Sequence, residues 1–189
     1  MSAVSAPFGF RPADNPIHSS RAQRYVITGA YNTAMYQNQP VILNTNGTVT
    51  VGTAAADLLG VFAGCEYYDA TGKYNVSPFW PASQAIFSGT TAYAWIVVEP
   101  NTVFEVQADG PVAQTAIGDQ ADVTNISNGS TLTGLSQCTL ASSLAGAGVQ
   151  GQWRIIGFGG QPDNLPGDAF TIVQVQLARS QYVANKVAI

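Results

Sequence analysis

Apolar and polar positions along this chain alternate in short bursts and never hold a helical stripe. "QRYVIT" (23–28) alternates loosely, and "PVILNTNGTVTV" (40–51) is two apolar runs around Asn46-Gly47, a strong short signal for a hairpin turn. "LLGVFAGCEYY" (58–68) is too glycine-rich for a helix and aromatic enough for a buried strand. "AYAWIVVEPNTVFEVQA" (92–108) reads as two strands around Glu99-Pro100-Asn101, where proline presets a turn. In its second half Phe104, Val106 and Ala108 face one way and Glu105 and Gln107 the other, the period of a half-buried strand. Residues 109–150 are dominated by Gly, Ala, Ser and Thr and read as loops with short edge strands such as "ADVTNI" and "QCTLAS". "QWRIIGF" (152–158) and "FTIVQVQLA" (170–178) are the clearest late strands, with Val173, Val175 and Leu177 on one face. With at least eight short strands, no repeat of fixed period and turn signals throughout, the pattern predicts an all-β sandwich or barrel.

Composition sharpens this. The chain has 189 residues, enough for one domain that buries about 70% of its open-chain surface. Such a core needs no covalent staple, so Cys65 and Cys138, both in strand-like apolar surroundings, are expected as buried thiols. The opening MSAVSA has neither a basic n-region nor an apolar h-region, so no secretory signal is expected, and the four N-x-S/T sequons are read as by-products of composition. No apolar run approaches the ~18 residues of a membrane helix. Only 10% of residues are charged, against about 25% in ordinary soluble domains. A surface so poor in charge fits one partly covered by other protein copies.

The charge is also uneven, and this draws attention to the start of the chain. "PFGFRPADNPIHSSRAQR" (7–24) holds three of the seven basic residues and has no regular period. Eight carboxylates and one lysine lie between Asp57 and Asp122. The division predicts an extended N-terminal arm over 1–24, a β domain over 25–180 and a C-terminal tail over 181–189. Extended, the arm reaches at most about 80 Å, far enough to lie on a neighbour. Burying Phe8 and Phe10 contributes roughly 3–6 kcal/mol, whereas fixing ten residues of backbone costs about 10–20 kcal/mol. The arm is therefore expected to order only on a partner, through Pro7, Phe8, Phe10, Arg11, Pro12, Ile17, Arg21 and Arg24, and removing residues 1–22 is expected to leave the body folded. The competing expectation is that it folds back along its own barrel as an edge strand. Its net charge of about +2 is too small for a nucleic-acid packaging tail.

Reactive chemistry is sparse. The single histidine, His18, lies in the arm beside Ser19 and Ser20, where nothing holds a Ser-His pair in reacting geometry. Glu66 with Asp69, or Glu99 with Glu105, supply the carboxylates a hydrolase needs, but they also suit exposed strand faces and turns. Trp80, Trp95 and Trp153 are read as core, with sugar stacking as the alternative. "GFGGQPDNLPGD" (157–168) lacks both the phosphate-loop glycine spacing and the calcium ligand series, and reads as a tight surface loop. Two distant cysteines and one histidine make no zinc site. No enzyme activity, metal or cofactor is expected.

"PFGFRP", "GVFAGCEYYDATGK" (60–73) with "SPFWPAS" (77–83), "EPNTVFEVQADG" (99–110) and "QWRIIGF…PDNLPGDAFTIVQVQL" together resemble a group of small structural proteins of tailed bacteriophages, identified as capsid decoration, or cement, proteins. The likeness spans roughly 7–178 and is weakest over 111–150. It implies a jelly-roll-like sandwich or barrel, or alternatively an open, tulip-like barrel, with a long N-terminal arm. It also implies a place on the outer surface of the virion head after synthesis in the host cytoplasm, binding to the major capsid protein, and self-association as a homotrimer or a homodimer. No direct contact with nucleic acid or membrane goes with it. The alternative function is another virion structural role, such as a tail-associated glycan-binding adhesin.

Overall fold

The computed structural model describes residues 4–13 and 21–183. Its strands in chain order are β1 (Arg11–Pro12), β2 (Ala22–Ile27), β3 (Gln39–Leu43), β4 (Thr48–Val51), β5 (Gly60–Tyr68), β6 (Tyr74–Ser77) and β7 (Ala92–Val97). There follow β8 (Phe104–Gln107), β9 (Gln120–Ala121), β10 (Val123–Thr124), β11 (Thr139–Leu140), β12 (Trp153–Phe158) and β13 (Ile172–Leu177). One short 3₁₀ turn, Gln114–Ala116, is the only helical element among the described residues. The fold is all-β, as the alternation predicts.

Five strands close a ring. β3 pairs with β4, β4 runs parallel to β2, and β2, β7, β5 and again β3 pair antiparallel in turn. β5 is long enough to serve two neighbours along one edge, β3 at Gly60–Phe62 and β6 from Cys65 onward. Gly60 has to be glycine here, because a Cβ would stand 2.1 Å from the Val97 carbonyl oxygen. A bulge between Phe62 and Gly64 shifts the register by one residue, so that Phe62, Cys65 and Tyr67 all point into the barrel. The barrel interior is filled by these with Ile27, Val49, Trp80, Ala92, Ala94 and Ile96.

The second layer is an open antiparallel sheet in the order β1-β8-β13-β12-β9. Its inner face carries Phe104, Val106, Trp153, Ile155, Val173 and Val175, packed against Val61 and Val97 on the outside of the barrel. The strands on either side of Glu99-Pro100-Asn101 thus belong to different sheets. The Thr102 N–H donates to the Glu99 carbonyl at 3.1 Å, closing a turn at the corner where the chain crosses from barrel to sheet. The result is a sandwich of barrel and sheet, and its strand order is not specifically that of a jelly roll. Cys65 sits in the barrel core and Cys138 in the second core, both free and buried.

Elements of the body reach across both boundaries drawn from the sequence. β2 begins at Ala22, so the barrel takes in residues assigned by sequence to the arm. The start of the expected tail is tied down as well: the Gln181 side chain donates to the Leu43 carbonyl at 2.9 Å and accepts from the Leu43 N–H at 2.7 Å. Both attachments depend on partners far away in sequence, which composition does not reveal.

Candidate functional site

The segment singled out in the sequence lies along β8 of its own chain. Gln107, 1% exposed, uses both ends of its amide on it: Nε2 donates to the Val4 carbonyl at 2.9 Å, and Oε1 accepts from the Ala6 N–H at 2.8 Å. Asn38 adds two bonds one step on: its side-chain Nδ2 donates to the Phe8 carbonyl at 3.1 Å, and its backbone carbonyl accepts the Phe10 N–H at 2.8 Å. Between these two bonds sits Gly9 at φ +73°, where a Cβ would stand 2.5 Å from the Asn38 carbonyl oxygen and 2.9 Å from the Ser136 Cβ. Only glycine fits that backbone and that gap. Arg11 and Pro12 then pair with Glu105 and Phe104 as an edge strand.

Phe10 is fully buried and stacks on Trp153 with ring centroids 4.2 Å apart, while Phe104 meets the same indole edge-on at 5.4 Å. The expectation that this segment orders only on a neighbour is therefore corrected for residues 4–13, and the fold-back alternative describes them. Two phenylalanines alone do not offset the backbone entropy of the segment; the Gln107 and Asn38 bonds, the β1–β8 ladder and the Trp153 stack add to them. Each hydrogen bond contributes about 0.5–1.5 kcal/mol, and an aromatic pair about 0.5–1.5 kcal/mol beyond its area.

The expected contact residues are thus dispersed. Phe10 belongs to the core, and Arg11 and Pro12 to an edge strand. Pro7 and Phe8 are half-buried, with the Arg11 guanidinium 4.7 Å above the Phe8 ring. Arg21 is exposed. Arg11 and Arg24 do meet carboxylates, but those of their own chain, Glu105 and Glu66, each at 2.7 Å. Ile17 and His18 lie outside the described residues.

The carboxylates offered for hydrolysis are occupied by structure. Asp69 caps the β5–β6 turn, accepting from Thr71 N–H at 2.9 Å, Thr71 Oγ1 at 2.6 Å and Asn75 Nδ2 at 3.0 Å. The Thr71 hydroxyl foremost, then the Asn75 amide, hold its pKa down at about 2, the opposite of the raised value an acid catalyst needs. Glu99 accepts from the Asn101 N–H at 3.3 Å across its own turn. Trp80 and Trp153 are fully buried and Trp95 is half-buried, so no two of the three tryptophans make an exposed platform. The 157–168 loop is the tight loop expected: buried Asn164 donates to the Gly159 and Ile172 carbonyls at 3.1 and 2.8 Å and accepts the Ile172 N–H at 2.8 Å. Burial pushes both thiols up to about 12, so neither is a ready nucleophile. Among the described residues no group of His, Cys, Asp or Glu is placed to hold a metal ion, and no helix is long and apolar enough to cross a membrane.

What the sequence reading missed is the outer face of the barrel at the β5–β6 end. The register puts Glu66 opposite Tyr93 and Val76, and Tyr68 opposite Tyr74, all on one face. Val76 is 71% exposed and Tyr74 50%. The signal was present in "EYYDATGKYNV", a hairpin with tyrosines on both sides of an Asp-x-x-Gly turn. Comparison with family models, with curated proteins and with solved structures finds no match to this chain.

Proposed function

We propose that this chain is a capsid decoration protein of a tailed bacteriophage, which lies on the outer surface of the head and ties neighbouring major capsid subunits together. The observation that carries the reading is a compact all-β body with 10% charged residues that nevertheless keeps Leu132, Val149 and Leu165 more than half exposed. Large apolar side chains on a surface with few charges suit burial against other protein. The phage-like segments of the sequence supply the identity of that protein. The chain acts as a homo-oligomer, a trimer in the first instance, because linked copies turn weak single contacts into long-lived attachment. It performs no reaction and needs no cofactor. Of the architectures that accompany this role, a barrel with an N-terminal extension suits the chain better than a jelly roll, since five strands close a ring and β2 and β4 run parallel.

The test is the copy number in purified virions, by quantitative mass spectrometry against the major capsid protein. Hundreds of copies per particle are expected. A few per particle would assign the chain to the tail instead, and none would end the proposal.

A further inference from the structure

The outer face of β5 and β7 is treated differently at its two ends. Near Val61 and Val97 the second sheet covers it, whereas beyond Glu66 and Tyr93 it opens to Tyr68, Tyr74 and Val76, 43%, 50% and 71% exposed. There β2, β7, β5 and β6 together form a cleft of ≈ 280 Å³ around Arg24, Glu66, Tyr68, Tyr74 and Tyr93, with Thr90 and Thr91 at its rim. Its polar groups are already held in place. Glu66 Oε1 accepts from Arg24 Nη2 at 2.7 Å, and Glu66 Oε2 accepts from the Tyr74 hydroxyl at 2.9 Å. The guanidinium lies 3.5 Å above the Tyr93 ring. Beside this network the Tyr68 and Tyr74 rings stand 5.2 Å apart, 43% and 50% exposed.

We propose that this cleft binds a neutral saccharide. A sugar ring presents an apolar C–H face, which needs an aromatic side chain, and vicinal hydroxyls that both donate and accept. The tyrosine pair answers the first requirement and the adjacent guanidinium and carboxylate the second. The Arg24–Glu66 pair cancels its own charge and the chain carries a net charge of −4, so an anionic glycan gains nothing here and is repelled at a distance. A proline-rich peptide also packs on tyrosines, but its prolines carry no N–H to donate to Glu66, so it uses the carboxylate less fully than a sugar hydroxyl does. Because the groups are fixed before any ligand arrives, little ordering cost attaches to binding. The inference is independent of the capsid reading, since a decorated head and a free chain present the same cleft unless the capsid covers it.

The test is a titration of the full chain, followed by NMR, with neutral gluco-, manno- and galacto-oligosaccharides, a sialylated oligosaccharide and a proline-rich peptide. A neutral oligosaccharide is expected to shift the resonances of Tyr68, Tyr74 and Tyr93 at millimolar concentration or below. Tyr68→Ala and Arg24→Lys are each expected to weaken that binding by about tenfold or more, while Ile117→Ala, exposed elsewhere on the chain, leaves it unchanged. Circular dichroism confirms that each variant is folded, and the unsubstituted chain tests the idea without any variant. Silence of these tyrosines toward every neutral oligosaccharide, or a response only to the sialylated sugar or the peptide, overturns the proposal. Loss of sugar binding with head attachment intact would refute this inference alone.

Discussion

The barrel and the second sheet bury similar side chains but finish their edges in different ways. In the barrel the backbone ladder runs round the ring from β3 through β4, β2, β7 and β5 back to β3, and side chains are added at strand ends, as Gln181 is at Leu43 and Tyr31 at Val51. The second sheet is open, and its ends are two-residue strands, β1 and β9. There the unpaired backbone is met by amide side chains. Gln107 holds the N-terminal segment. Gln152 donates to the Thr53 and Ala56 carbonyls, both at 2.8 Å, and accepts the Val123 N–H at 3.0 Å. Gln120 accepts the Gly151 N–H at 2.9 Å. A chain with few charges can thus satisfy buried backbone either by closing a ring or by spending neutral amides, and the second route ties the layer to particular distant residues.

The comparison breaks first at Phe10. Phe10→Ala is expected to cost about 3–5 kcal/mol, because it leaves a cavity against Trp153 that the stacked layers cannot fill. Urea unfolding measures this, and a loss below about 1 kcal/mol would mean that the N-terminal segment is not part of the second core. Removal of residues 1–13 strips the edge strand as well and is expected to cost more, in contrast to the earlier expectation of an unaffected body.

Gln152→Leu comes next. It strands two carbonyls and one N–H, each of which costs about 1–3 kcal/mol when buried without a partner, and water reaching the exposed 53–56 loop reduces the sum. Its effect should be local to the second layer. Cys138, fully buried there, is expected to become reactive to a thiol reagent before Cys65 in the barrel, and equal labelling of the two would show that the layers open together.

The smallest effect belongs to the β5–β6 turn. Asp69 titrates at about 2 in the folded chain against an ordinary 3.8, so its contribution is complete above 3.8 and disappears as the pH falls through about 2. Amide exchange at Thr71 and Lys73 should therefore quicken over that window relative to barrel amides, and Asp69→Asn should abolish the difference. Exchange that stays flat across the window would contradict the cap.

The two layers also differ in how much of them could be read from sequence. The Asn46-Gly47 hairpin is local: Gly47 takes φ +78°, its N–H donates to the Asn44 carbonyl at 3.0 Å, and the flanking strands pair as their alternation implies. Ring closure was not legible, because the parallel β2–β4 pairing and the β3–β5 pairing leave no mark on either strand's own pattern. Nor was the fate of the N-terminal segment, since Asn38, Gln107 and Trp153 hold it from three separate stretches of chain. Gln107 was legible as facing away from the core, yet its burial comes from the segment laid over it. The tyrosine cleft draws on β2, β5, β6 and β7, and β6 is too short and too exposed to announce itself by alternation.

Attachment to a head is the claim on which the functional account rests, and saturation binding tests it most directly. Purified chain added to phage heads lacking it, followed by sedimentation, should bind saturably at a fixed ratio to the major capsid protein and raise the temperature at which the heads release DNA. Heads that sediment without it at every concentration, with their stability unchanged, would contradict the account.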